Sequence, residues 1–172
     1  PIWGARAALL TPIAKAFGTD VGVRVANEGI QVHGGMGFVE ETGAAQFLRD
    51  VRVTAIYEGT NGIQAMDLVA RKMMDGGEAM YRLLDEIEAG AEAARASFPD
   101  LTEKVWAAAE TLRETTEWLV EQPLDQRFPG AVAYLTAAAR VLGGHYHLTA
   151  AQAAGEGPRV ALAQFYIDRL LP

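Results

Sequence analysis

Apolar residues recur at three- and four-residue spacing along most of this chain, which is the pattern of amphipathic helices. Ile13, Phe17, Val21 and Val25 fall four apart and give the first long segment one apolar face. Its expected ends are Thr11 as N-cap with Pro12 in the first helical position, and Gly34-Gly35 as the stop. Gly18, Gly22 and Gly29 lie inside it. A helical glycine is less favourable than alanine by about 1 kcal/mol, so these three mark either close approach of another helix or a ligand, or simple tolerance.

A polar loop, "VEETG", separates this segment from a short helix expected over 43–50. The β-branched run "VRVTAIY" lies in a stretch, 51–60, expected to be extended or irregular. Asn61 is the expected cap of a helix over 62–75, with Ile63, Met66, Leu68 and Val69 inward. "DGGE" at 75–78 breaks the pattern and is the candidate boundary between a domain at 1–76 and another at 77–172. Beyond it, helices are expected over 78–96, from an Asp100 cap to 121, over 131–154 and over 159–171. Four antiparallel helices with short loops is the simplest packing, so the fold class is all-α, an antiparallel helical bundle.

Composition narrows the function classes. The chain has 172 residues, enough for a self-sufficient core, and its formal charge of −7 argues against a broad basic face for nucleic acid. No apolar run approaches the roughly 20 residues of a membrane span, and no segment reads as a signal peptide. Cysteine is absent, which excludes disulfides, thiolate chemistry and zinc sites built on Cys. A cytoplasmic protein is the default expectation.

Candidate chemistry is concentrated in two short stretches. In "AIYEGTNGIQ", Glu58 follows Ile56 and Tyr57 and precedes Gly59, whose missing side chain leaves room for a substrate. A carboxylate enclosed by apolar neighbours is a stronger base, whereas spacing alone favours a solvated turn residue. "HGGMGF" at 33–38 offers backbone N–H groups to an anion, but it lacks the dinucleotide-binding spacing and reads better as a helix stop. His145 and His147 project to opposite sides of a helix and cannot share a metal. His33, at a helix C-terminus, is placed for a structural role. Trp3, Trp106 and Trp118 read as core or interface anchors.

Taken together, these stretches resemble a known family. The elements Q-V-H-G-G-M-G-F, L-R-D, I-Y-E-G-T and I-Q occur in order within "NEGIQVHGGMGFVEETGAAQFLRDVRVTAIYEGTNGIQAMDLVARK". This stretch resembles the C-terminal α-domain of the acyl-CoA dehydrogenases, with the match covering 11–75. Residues 78–172 are similar in helical pattern and position to an extra C-terminal domain found in the long FadE-type and methylmercaptopropionyl-CoA dehydrogenase-like branch.

The resemblance implies an FAD-dependent α,β-dehydrogenation of an acyl-CoA thioester to a trans-2-enoyl-CoA. Glu58 matches the base that removes the α-proton, Gly59 would lie beside the thioester, and Tyr57 would line the acyl pocket. Gln31, Val32, His33, Gly34 and Gly35 match the segment that contacts the adenosine part of FAD, commonly across a subunit interface. Thr60 matches a threonine near the FAD pyrophosphate. Many relatives carry Gln or Glu two residues later, where this chain has Gly62, so only a backbone contact is available there. The implied partners are an acyl-CoA substrate, an electron-transfer acceptor and further copies of the same chain. The family also uses an N-terminal helical domain and a β-domain, so the sequence reads as the C-terminal third of an enzyme of about 600 residues and is expected to be inactive alone. The rival reading is a helical interaction or oligomerisation module without its own activity.

Overall fold

Ala, Leu, Arg and Glu fill the elements of this chain, and the architecture they produce is helical throughout. The computed structural model describes residues 2–172, and no β-strand occurs among them. The first helix, α1, runs Ile2–His33, and a short turn of helix, α2, covers Gly35–Phe38. There follow α3 (Ala44–Arg52), α4 (Asn61–Val69), α5 (Glu78–Ala94), α6 (Pro99–Glu121), the short α7 (Leu124–Arg127), α8 (Ala131–Ala154) and α9 (Pro158–Arg169).

Helix α1 begins well before the expected Thr11 cap. Pro12 lies inside it, and the Thr11 hydroxyl donates to the Ala7 carbonyl at 2.7 Å rather than capping. An internal proline costs about 3 kcal/mol. The preceding turns offset this by placing Leu9 beside Ile13 in the core, where each buried aliphatic side chain contributes about 1.5–3 kcal/mol. Of the expected apolar stripe, Ile13 is buried and Val25 is exposed. Gly22 does mark close approach, since a Cβ there would lie 3.1 Å from Val51 on α3, whereas Gly18 and Gly29 face open space.

The stretch 51–60 is not extended. Val51 and Arg52 close α3, and Val53–Ala55 form a single 3-10 turn before an irregular loop at 56–60. Asn61 is the first residue of α4 rather than its cap. Thr60 occupies the cap position, its carbonyl accepting from Gln64 N at 3.0 Å. Helix α4 ends at Val69, earlier than expected, with Leu68 and Val69 buried but Ile63 and Met66 turned outward. At α6, Phe98 takes the cap position and Pro99 the first turn, which displaces Asp100 into the helix. Proline's fixed φ suits that first position.

Helices α5, α6, α8 and α9 pack on one another, as the four-helix expectation required, and α8 also packs on α1 and α4. One continuous core results, running from Leu9 and Ile13 through Leu68 and Val69 to Leu84, Val105, Leu148 and Ile167. Inside it the Thr116 hydroxyl bonds the Leu112 carbonyl and the Tyr134 hydroxyl, each at 2.7 Å. No helix among the described residues is long and apolar enough to cross a membrane.

Candidate active site

The loop that joins the turn after α3 to α4 holds the Tyr57–Thr60 motif. Glu58 has φ 56°, and among the described residues it is the one non-glycine in the left-handed region. That conformation costs a side-chain-bearing residue energy and persists only where its surroundings enforce it. Gly59 follows at φ 87°, a value that favours glycine.

Two side chains enforce the bend. Gln64 Nε2 donates to the Glu58 carbonyl at 2.8 Å from within α4. Lys15 Nζ reaches from α1 to the Gly59 carbonyl at 2.7 Å and to Asn61 Oδ1 at 2.8 Å. The Asn61 amide nitrogen in turn lies 2.7 Å from Asp20 Oδ1 and 2.9 Å from Thr19 Oγ1. The first turn of α4 is therefore tied to α1 by polar groups, three residues after the glutamate. Lysine 15 and threonine 19, four apart, share one helix face.

The Glu58 carboxylate is exposed, and Ile56, Tyr57 and Ile63 beside it are each about half exposed. The nonpolar slot considered from the sequence is thus not closed by this chain's own residues. Next to the loop is a cleft of about 630 Å³ lined by Asp20, Arg24, Asn27, Arg52, Ile56 and Thr60. Neither Arg24 nor Arg52 forms an ion pair among the described residues. Thr60 places an exposed hydroxyl there that caps no backbone group.

Residues Gln31 to Gly35 lie at the other end of α1. Gln31, His33, Gly34 and Gly35 are exposed and Val32 is 85% exposed. His33 Nδ1 pairs with the Gly29 carbonyl at 2.8 Å, and the Gly34 amide is used by the Gln31 carbonyl at 3.1 Å. With Gly34 at φ 61°, the segment is a helix stop. A Cβ at Gly34 or Gly35 would meet nothing within 4 Å, so a flat ligand could approach both backbones.

His145 and His147 lie on α8, far along the chain from this loop, and no cluster of three metal-ligating side chains occurs among the described residues. Trp106 packs against the core, whereas Trp3 and Trp118 are exposed. Sequence reasoning missed Lys15, Asn61 and Gln64 as holders of the loop. The available signal was the Lys15–Thr19 pair interrupting the otherwise apolar flank of Ile13, Ala16 and Phe17.

Comparison with known proteins places both parts of the chain in one family. Residues 4–74 match the family model described as "Acyl-CoA dehydrogenase, C-terminal domain", and residues 83–172 match "Acetyl-CoA dehydrogenase C-terminal like". The chain belongs to the acyl-CoA dehydrogenase family. It is similar to the 3-methylmercaptopropionyl-CoA dehydrogenase of Ruegeria pomeroyi, with 54% identity over 84 residues, 48% of this chain and 14% of that protein. Similarity to the butyryl-CoA dehydrogenase of Syntrophomonas wolfei runs longer, at 36% identity over 142 residues, 77% of this chain and 23% of that protein. The very long-chain specific acyl-CoA dehydrogenase of Rattus norvegicus is 41% identical over 71 residues, 41% of this chain and 11% of that protein. The matched stretches thus cover less than a quarter of the length of each of these curated relatives.

Proposed function

We propose that this acyl-CoA dehydrogenase chain supplies the base for α,β-dehydrogenation of an acyl-CoA thioester, and that the base is Glu58. The observation that carries the reading is the enforced left-handed bend at Glu58, gripped at the Glu58 and Gly59 carbonyls, inside the motif the family resemblance singles out. Backbone strain of this kind gathers at functional sites.

In this reading the Glu58 carboxylate accepts the proton from the α-carbon, and the electron pair left behind becomes part of the Cα–Cβ double bond of a trans-2-enoyl-CoA. Gly59 leaves room for the thioester, and Tyr57 gives the acyl chain an apolar wall. FAD, when bound, supplies the acceptor for the β-hydrogen, which departs as hydride. The residues present fit that cofactor. Arg24, Arg52 and the Thr60 hydroxyl suit a pyrophosphate, and the open backbone at Gly34 and Gly35, with Gln31 and His33 beside Val32, suits a flat adenine. An electron-transfer acceptor, which reoxidises the flavin, and further copies of the chain complete the expected partners.

Glu58→Gln in the complete flavoenzyme tests this reading. The variant keeps its size and hydrogen-bonding shape but cannot take a proton. The expected result is bound flavin with turnover and α-proton exchange reduced by about 100- to 10,000-fold, the usual range of general-base contributions. Unchanged turnover would remove Glu58 from the mechanism.

One observation favours the second reading, an interaction module. Val32, Met36, Phe38 and Phe47 are all exposed around the α1–α3 end, and exposed apolar groups of this kind mark contact surfaces. Wild-type turnover in the Glu58 variant would move the weight to that reading.

A further inference from the structure

We infer that Lys15 is a positioning residue for Glu58, acting through the backbone of the loop rather than on any substrate. The inference rests on the reading of Glu58 as the base.

The peptide plane after Glu58 is fixed by Gln64, and the plane after Gly59 is fixed by Lys15. Gly59 lies between them, and its two torsions would otherwise be the freest in the loop. Holding the carbonyl on each side of this glycine removes that freedom and sets the direction in which Glu58 leaves the backbone. Lys15 is suited to the part. It is partly buried, sits 44 residues before Gly59 in the chain, and forms no ion pair with a carboxylate among the described residues. Its ammonium is directed at two oxygens, both within three residues of Glu58. Asn61, the second of these, is itself anchored to Asp20 and the Ala16 carbonyl on α1. The loop is thus registered against the most extensive helix of the molecule by one flexible cation and one amide.

A misplacement of about 1 Å at a reacting group lowers rates by about 100-fold. Lys15→Met keeps the stem and removes the donors. In the complete, flavin-loaded enzyme we expect kcat to fall by about 10- to 100-fold with KM for acyl-CoA and flavin content unchanged. Lys15→Arg, which retains the charge in a different planar geometry, should be intermediate. Independently of turnover, backbone amide hydrogen exchange over 57–60 should quicken by about 10-fold in Lys15→Met, through greater local opening, while exchange in α8 stays as it was. Wild-type kcat together with wild-type exchange would overturn the inference. Should Lys15→Met not fold, Lys15→Arg decides alone: an intermediate kcat supports the role and wild-type values of both readouts refute it. Glu58→Gln, run in parallel, separates the two claims. An active Glu58 variant sinks the base itself, while an inactive one beside a Lys15→Met with wild-type kcat and wild-type exchange sinks only the positioning role.

Discussion

Individual residues in this chain carry more than their type suggests, and His145 shows it away from the candidate site. It is buried on α8 against Gly90 of α5, where a Cβ would come within 2.7 Å of its Cε1. Burial holds its pKa below the ordinary histidine value of 6.5, with Glu86 opposing and Arg6 reinforcing. His147 is lowered in the same direction, by burial and then by Arg159. The unfolded chain therefore takes up protons on these imidazoles at a higher pH than the folded one does. Stability is fully present above the unfolded value and falls as the pH drops below about 6.5. The melting temperature should decline between about pH 7.5 and pH 5.5, before Glu86 and Asp67, whose pKa values are lowered by Arg6 and Arg71, begin to protonate. His145→Gln should flatten that slope, whatever it does to the absolute melting point. A flat wild-type profile over this window would contradict the account. The sequence showed that His145 and His147 diverge on a helix; it did not show that one of them sits under a glycine from another helix. Glu58 is the same case in reverse. Its motif and its solvated position were legible, but its grip by Lys15 and Gln64 was not, because that depends on where α1 and α4 meet.

At the scale of elements, helix types and order were readable from periodicity, while helix ends were less so. Thr11-Pro12 looks like a helix start because the two residues suit a cap and a first turn, yet burial of Leu9 and Ile13 carries α1 through them. Asn61 looks like a cap, yet its side chain is drawn sideways to Lys15 and Asp20. In both, tertiary contacts outweigh a local preference, of about 1 kcal/mol for a cap and about 3 kcal/mol for the internal proline. Arg127 is a further end that no local pattern reveals. From α7 it donates to the Gln122 carbonyl at 2.7 Å and the Val120 carbonyl at 2.8 Å, at the end of α6, and to the Val69 carbonyl at 3.2 Å, the last residue of α4. A cation placed on C-terminal carbonyls satisfies groups the helix leaves unpaired and complements its dipole. Arg127→Met should destabilise the chain by about 1.5–3 kcal/mol, as expected for hydrogen bonds from a charged group, and Arg127→Lys should recover part of this. Denaturant unfolding would report it as a lowered midpoint with unchanged slope. A loss below about 0.5 kcal/mol would mean that water satisfies these carbonyls equally well.

For the whole molecule, the question is whether the two family segments are independent. Their meeting point at Gly76-Gly77 has the glycines and positive φ values of a hinge. Yet α1 and α4 lie against α8, Arg6 of α1 pairs with Glu86 of α5, and Leu9, Ile13, Leu68 and Val69 share a core with residues of the later helices. Removing the later helices would expose those four side chains. Each contributes about 1.5–3 kcal/mol when buried, so the loss is comparable with the whole 5–15 kcal/mol stability of a typical domain. The first segment is also rich in features that favour unfolding when uncovered, including an internal proline, interior glycines and the strained Glu58 loop. We therefore expect one cooperative unfolding transition for the chain, with buried amides of α4 and α8 exchanging at the same global rate. A segment ending at residue 76, produced alone, should lose most of its helical circular dichroism and regain it on mixing with the 77–172 segment. Two separate transitions, or a stable isolated first segment, would show that the Glu58 loop is held by α1 and α4 without help. The outcome bears on catalysis as well as stability, because the helix that carries Lys15 is kept in place partly by α8, and any loosening between the segments would reach the base through that lysine.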